Sequence, residues 1–122
     1  MSELASLVVT QDGEVVVASL TGEIDLSNAT ELERSVADLV PNGALGLVLD
    51  LSGLTYIDSS GIRLLLSLAG RLRWRGQELA LAAPDGARCR RVLSMAGVDG
   101  SVAFETTAEA AGARLREPGM SG

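Results

Sequence analysis

Residues 45–51 read LGLVLDL, and the chain continues as SGLTYIDSSGI from Ser52 to Ile62. The first seven residues are short and nearly all apolar, the composition of a strand covered on both faces and lying centrally in a sheet. Ser52-Gly53 then opens a short polar loop that ends in Asp58-Ser59-Ser60-Gly61. Beyond it Ile62, Leu65, Leu66, Ala69 and Leu72 recur at helical spacing as far as a stop near Gly76. Strand, polar loop and amphipathic helix in that order make a βα unit.

Upstream, Leu4–Thr10 and Glu14–Leu20 are β-branched runs joined through Asp12-Gly13, a strong hairpin signal. Thr21-Gly22-Glu23-Ile24-Asp25 leads to Ser27-Asn28, which predicts a helix cap with Glu31 as capping-box partner. Ala29, Leu32, Val36 and Leu39 or Val40 mark the apolar stripe of that helix, and Pro41-Asn42-Gly43 ends it. Downstream, Glu78–Ala83 reads as a strand closed by Pro84. Asp85-Gly86 starts a third helix carrying Val92, Leu93 and Ala96 and stopped by Gly97. Ser101–Glu105 is a last short strand, and Thr106 or Thr107 caps a fourth helix running to about Arg116. The order β-β-α-β-α-β-α-β-α predicts an α/β fold in a single domain over residues 1–122. Its sheet is mixed, opened by the N-terminal hairpin and covered by about four helices. The core spans about residues 4–116, with 117–122 expected as a frayed tail.

The composition removes most catalytic chemistry. The 122 residues contain no histidine, one cysteine (Cys89) and ten cations, all arginine. No histidine excludes the Ser-His-Asp and Cys-His triads. No lysine excludes a Schiff base, a Ser-Lys dyad and a P-loop. A zinc site and an internal disulfide are equally out of reach. No cofactor is expected, and neither is intrinsic turnover of ATP, esters or phosphoesters. The net charge of −6 and the 2% aromatic content argue against direct nucleic-acid binding. Met1-Ser-Glu-Leu has neither a basic nor an apolar leader region, and the apolar runs fall short of the ~20 residues that span a bilayer. The expectation is a cytoplasmic protein with no membrane contact.

Chemistry concentrates at the loop before the second helix. In open α/β sheets, sites favour the carboxyl ends of strands. Ser59 and Ser60 are expected at N-cap or N1, beside free backbone amides and the positive end of the helix dipole. A phosphate added to such a hydroxyl is stabilised there. On spacing alone, simple helix capping by Asp58, Ser59 and Ser60 is the plainer reading. Arg71, Arg73 and Arg75 near the end of this helix, and Arg88, Arg90 and Arg91 on the next, read first as solvated faces; contact with an acidic partner or a nucleotide phosphate is the sharper alternative. Cys89 reads as a small packing residue, and Trp74 as a partly exposed anchor.

LTGEIDLSNA, LVLDLSGLTYIDSSGIRLLL and AAPDGARCRRVLSMAGVD together resemble a STAS domain, and more narrowly the bacterial anti-sigma factor antagonists, from about Leu4 to Ala111. That resemblance implies a partner switch. The unmodified antagonist binds a GHKL-type serine-kinase anti-sigma factor and frees the sigma factor; phosphorylation of the DSSG serine releases the partner, and a phosphatase resets the cycle. The matching acceptor is Ser59. Asp25, Asp58, Ser60 and Gly61 fall at the partner-facing positions. A STAS-type accessory subunit of a transporter or stress-signalling complex is the alternative role, and the neighbouring gene, kinase or permease, discriminates. A response-regulator receiver with Asp50 as acceptor fails, because the chain lacks both the acidic pair after its first strand and any lysine. A hydrolase with Ser59 as nucleophile fails for want of a base and of a G-x-S-x-G turn.

Overall fold

The computed structural model describes residues 5–117. Leu4 of the expected first strand and residues 118–122 of the expected tail lie outside the described residues. The elements are β1 (Ala5–Asp12), β2 (Val15–Ile24), α1 (Ala29–Asp38), β3 (Gly46–Ile57), α2 (Ser59–Trp74), β4 (Glu78–Ala82), α3 (Arg88–Met95), a 3-10 turn at Val98–Gly100, β5 (Ala103–Glu105) and α4 (Ala108–Leu115). The five strands lie in the order β1-β2-β3-β4-β5. β1 pairs antiparallel with β2, and the other three pairings are parallel. The predicted mixed sheet with one antiparallel edge is therefore present, and LGLVLDL supplies its middle strand.

Alternation along β3 divides the core. Leu47, Leu49 and Leu51 face α1, α2 and α3 in the larger cluster, with Val36, Leu65, Leu68, Leu72 and Leu93. Val48 faces the other way, with Val15, Ala80, Ala82 and Ala111 of α4. Both faces of β3 are thus covered, which explains why its sequence is apolar without alternation. At the start of the strand, a Cβ on Gly46 would stand 2.1 Å from the Glu78 carbonyl oxygen, so only glycine permits the close β3–β4 approach there.

Several elements depart from the sequence expectation. β3 continues to Ile57 instead of ending at Leu51. Its pairing with β2 slips between Ser19 and Thr21 and again between Gly22 and Glu23. Those irregularities bend the strand, so Leu51, Leu54 and Ile57 are buried at every third position and the period of two is lost. On α2 the buried set is Gly61, Leu64, Leu65, Leu68, Ala69 and Leu72, whereas Leu66 points outward. Val40 is buried and Leu39 exposed. α3 starts at Arg88 rather than at Asp85-Gly86, and it buries Cys89 and Leu93 while Val92 and Ala96 are exposed. Thr107, not Thr106, caps α4 by accepting the Ala110 amide at 3.0 Å.

Two of the arginines expected on solvated faces hold the fold together. Arg75 donates to the carbonyls of Ala37 and Val40 where α1 ends. Gln77, 1% exposed, donates to the carbonyls of Pro41 and Ala44 in the same connection. Arg90 donates to the carbonyls of Ala83 and Glu105 and stacks 4.4 Å from the centre of the Phe104 ring. Arg71 pairs with Glu33 of α1 at 3.7 Å.

Candidate functional site

Ile24 and Ile57 are register partners at the carboxyl ends of two parallel strands. The next residues, Asp25 and Asp58, therefore begin two neighbouring turns, β2–α1 and β3–α2. The Asp58 amide donates to the Ile24 carbonyl at 3.3 Å and ties the two turns together. This is where parallel α/β sheets place their sites.

The β3–α2 turn is short because Asp58 itself is the N-cap. Its extended backbone lets the carboxylate fold back over the first turn, accepting the Ser60 amide at 2.8 Å and the Gly61 amide at 3.4 Å. Ser59 is the first residue of the helix, exposed, and is not one of the cap's partners. Of the two serines expected at N-cap or N1, Ser59 thus takes N1 and Ser60 the position after it. The plain capping reading applies to Asp58; it does not account for Ser59. Gly61 is buried, and a Cβ there would lie 2.4 Å from Ile57 Cγ1 and 3.0 Å from Ile24 Cγ2. Glycine lets the first turn of α2 sit directly on the ends of both strands.

The β2–α1 turn is built differently from its expectation. Asn28 precedes α1 but does not cap it with its side chain. Its Oδ1 accepts the Asp25 amide at 3.0 Å, and its Nδ2 donates to the Glu23 carbonyl at 2.9 Å. The predicted capping box with Glu31 is absent, because Asn28 reaches back to fix the turn. Asp25 Oδ1 accepts both the amide and the hydroxyl of Ser27, at 2.9 and 2.6 Å. Thr55 adds a cross-strand bond, its hydroxyl donating to the Gly22 carbonyl at 2.9 Å. Asp25, Asp58, Ser59, Ser60 and Gly61 accordingly lie together at one hydrogen-bonded edge of the sheet.

Two apolar side chains border this edge that the sequence alone does not single out. Leu26 follows Asp25 and is 81% exposed; Tyr56, two residues before Asp58, is 50% exposed. Leu26 is legible in retrospect as a lone apolar residue inside a polar turn. Beside the end of β3 an apolar groove of about 240 Å³ runs between β3 and α3, lined by Thr55, Tyr56, Ile57, Arg88, Cys89 and Val92. Burial pushes the Cys89 thiol up from its ordinary pKa, with nearby Arg90 and a backbone hydrogen bond opposing. The thiol donates to the Leu51 carbonyl at 3.4 Å. Cys89 is the packing residue that its sequence context suggests. Among the described residues no group of three or more Asp, Glu, His or Cys side chains could hold a metal ion, and no helix is long and apolar enough to cross a membrane.

The family model described as "Mlab, STAS domain" matches residues 7–109. The chain is 40% identical over 67 residues to BtrV of Bordetella bronchiseptica, a match covering 55% of this chain and 58% of that protein. It is 31% identical over 86 residues to the anti-sigma-F factor antagonist RsfB of Mycobacterium tuberculosis, covering 70% and 68% of the two chains. In three dimensions it resembles the crystal structure of an anti-sigma factor antagonist from Mycobacterium paratuberculosis. The TM-score there is 0.81 at 26% identity, over 93% of this chain and 95% of that one. Because that family model spans most of the chain, from residue 7 to residue 109, the chain belongs to the STAS domain family.

Proposed function

We propose that this chain is an anti-sigma factor antagonist whose partner contact is switched at Ser59. The reading rests on one observation above all. Ser59 is an exposed hydroxyl at the first position of a helix whose cap is already supplied by Asp58. Such a serine has no structural task, and a kinase can reach it without unfolding the turn. The similarity to RsfB supports the antagonist role.

In this scheme the bare chain docks through Asp25, Asp58, Ser60 and the rim around Ser59, with the buried Gly61 seating that rim on the strand ends, on a serine-kinase anti-sigma factor, which releases its sigma factor. The kinase transfers the γ-phosphoryl of ATP to the Ser59 oxygen; the hydroxyl proton leaves and ADP is formed. The modified side chain then carries about −1.5 to −2 charge beside Asp58, inside a contact that fitted a neutral hydroxyl. An unpaired charge of that kind at a docked surface costs several kcal/mol, and each ~1.4 kcal/mol is tenfold in affinity. The positive end of the α2 dipole stabilises the phosphate in the released chain. Hydrolysis by a phosphatase restores the antagonist. The chain supplies only the Ser59 oxygen that attacks the γ-phosphorus; the kinase and the phosphatase supply the other catalytic groups, in keeping with this chain's lack of histidine and lysine.

The test is phosphorylation by the cognate kinase with ATP, mapped by mass spectrometry over residues 53–63. Phosphate on Ser59, abolished in Ser59→Ala, is expected. Full stoichiometric phosphorylation of Ser59→Ala would move the acceptor to Ser60 or beyond.

A further inference from the structure

The far end of α2 carries a second surface that the switch does not use. Arg63, Leu66, Ser67, Gly70, Arg73 and Trp74 recur at helical spacing opposite the buried stripe, so they share the outer face of the helix. Leu66 is 41% and Trp74 92% exposed, although the core of the same helix is apolar and complete. Gly70 lies between them. A Cβ there would meet nothing within 4 Å, so packing within the chain does not require glycine. An interior helical glycine destabilises its helix relative to alanine. Its absent side chain leaves an open hollow of about 410 Å³ lined by Gly70, Arg73 and Trp74.

The free charge on this face is cationic: the one acid that touches it, Glu33 of α1, is engaged by the Ser67 hydroxyl at 2.7 Å and by Arg71 at 3.7 Å. The sequence of α2, SSGIRLLLSLAGRLRW, contains no acid, and among the described residues neither Arg63 nor Arg73 makes an ion pair. This cationic, apolar strip belongs to a chain of net charge −6. We infer that it is a docking surface for an acidic amphipathic helix of a partner protein. The partner helix lies along Leu66, Gly70 and Trp74, with its carboxylates toward Arg63 and Arg73. Gly70 lets the partner backbone come close, and Trp74 anchors one end. Trp74 stands about 22 Å along the helix from Ser59, so both contacts can be made at once.

Trp74 is the single tryptophan of the chain, and its fluorescence reports the contact directly. The probes are a synthetic helical peptide with leucine and alanine on one face flanked by glutamates, and the same peptide with lysine for each glutamate. The acidic peptide alone is expected to shift Trp74 emission to the blue in a saturable manner. Gly70→Leu should weaken that binding tenfold or more, and the double variant Arg63→Glu with Arg73→Glu should reverse the preference to the lysine peptide. Ser59→Asp should bind the acidic peptide as the unmodified chain does, which separates this surface from the switch. An equal response to both peptides, no response to either, or loss of binding in Ser59→Asp would overturn the inference. So would self-association, seen by sedimentation velocity, that buries Trp74 without any peptide.

Discussion

The amide of Asp58 donates to the carbonyl of Ile24 at 3.3 Å, so the residue that caps α2 is also bonded to the end of β2. Asp25, one residue further along that strand, is held by Asn28 and by Ser27. The two turns that carry every candidate contact residue are therefore fixed to each other by backbone geometry. The proposed switch therefore expects charge added at Ser59 to change the surface at this edge and leave the two turns in place.

Gly61 is the tightest point of this arrangement. Gly61→Ala would press its Cβ against Ile57 and Ile24, both buried, and overpacking of this kind costs roughly 1–3 kcal/mol. Urea unfolding should show a lower midpoint with an unchanged slope. A variant as stable as the parent would mean that the first turn of α2 has room to move.

Asp58→Ala should cost about 1 kcal/mol through loss of the cap, because the Ser60 and Gly61 amides lose their acceptor. Ser59→Ala, at an exposed position outside the cap, should change stability by less than about 0.5 kcal/mol. Thermal melts of the two variants side by side distinguish the structural residue from the switching one. Equal losses would contradict that division.

Gln77→Leu tests the connection after α1. The side chain is buried, its amide nitrogen serves the carbonyls of Pro41 and Ala44, and its Oε1 has no partner among the described residues. Leucine keeps the volume but leaves those carbonyls without their donor, a loss of about 1–3 kcal/mol per group left buried. Hydrogen exchange should rise at residues 40–45, with a fall in overall stability; protection unchanged from the parent would refute this role.

Cys89 gives the fold a dependence on alkaline pH. Its pKa is raised chiefly by burial, so the unfolded chain releases the thiol proton first, from about pH 8.5 upward. There the unfolded state binds fewer protons than the folded state, and stability falls as pH rises. The stability advantage of the parent over Cys89→Ala should be constant below that pH and shrink as pH rises above it. An advantage that stays level across the range, measured by urea titration, would contradict it.

Much of this was legible from residues alone. LGLVLDL announced a strand covered on both faces, and the DSSG turn announced a helix N-terminus at the carboxyl end of that strand. The continuation of β3 to Ile57 was not legible, because the slipped pairing with β2 replaces strict alternation with burial at every third residue. The side chain of Asn28 was misread for a similar reason: its partners, Glu23 and Asp25, belong to a turn whose shape depends on the neighbouring strand. Arg75 and Arg90 resembled solvent-facing cations on their helices, yet the carbonyls they serve come from distant segments. Leu66 looked like core by spacing, but its outward direction is fixed only once Leu64, Leu65 and Leu68 are seen to fill the interface with the sheet.

A phosphate on Ser59 is expected to weaken docking without disturbing the fold. The most direct measurement is calorimetric titration of the cognate serine-kinase anti-sigma factor with the bare and the Ser59-phosphorylated chain at one fixed salt concentration, together with the melting temperature of each form. The predicted result is a Kd weakened at least ~100-fold, equivalent to about 2.7 kcal/mol, with melting temperatures within about 2 °C of each other. Equal Kd values for the two forms, or a phosphorylated chain that has lost its folded transition, would contradict the account.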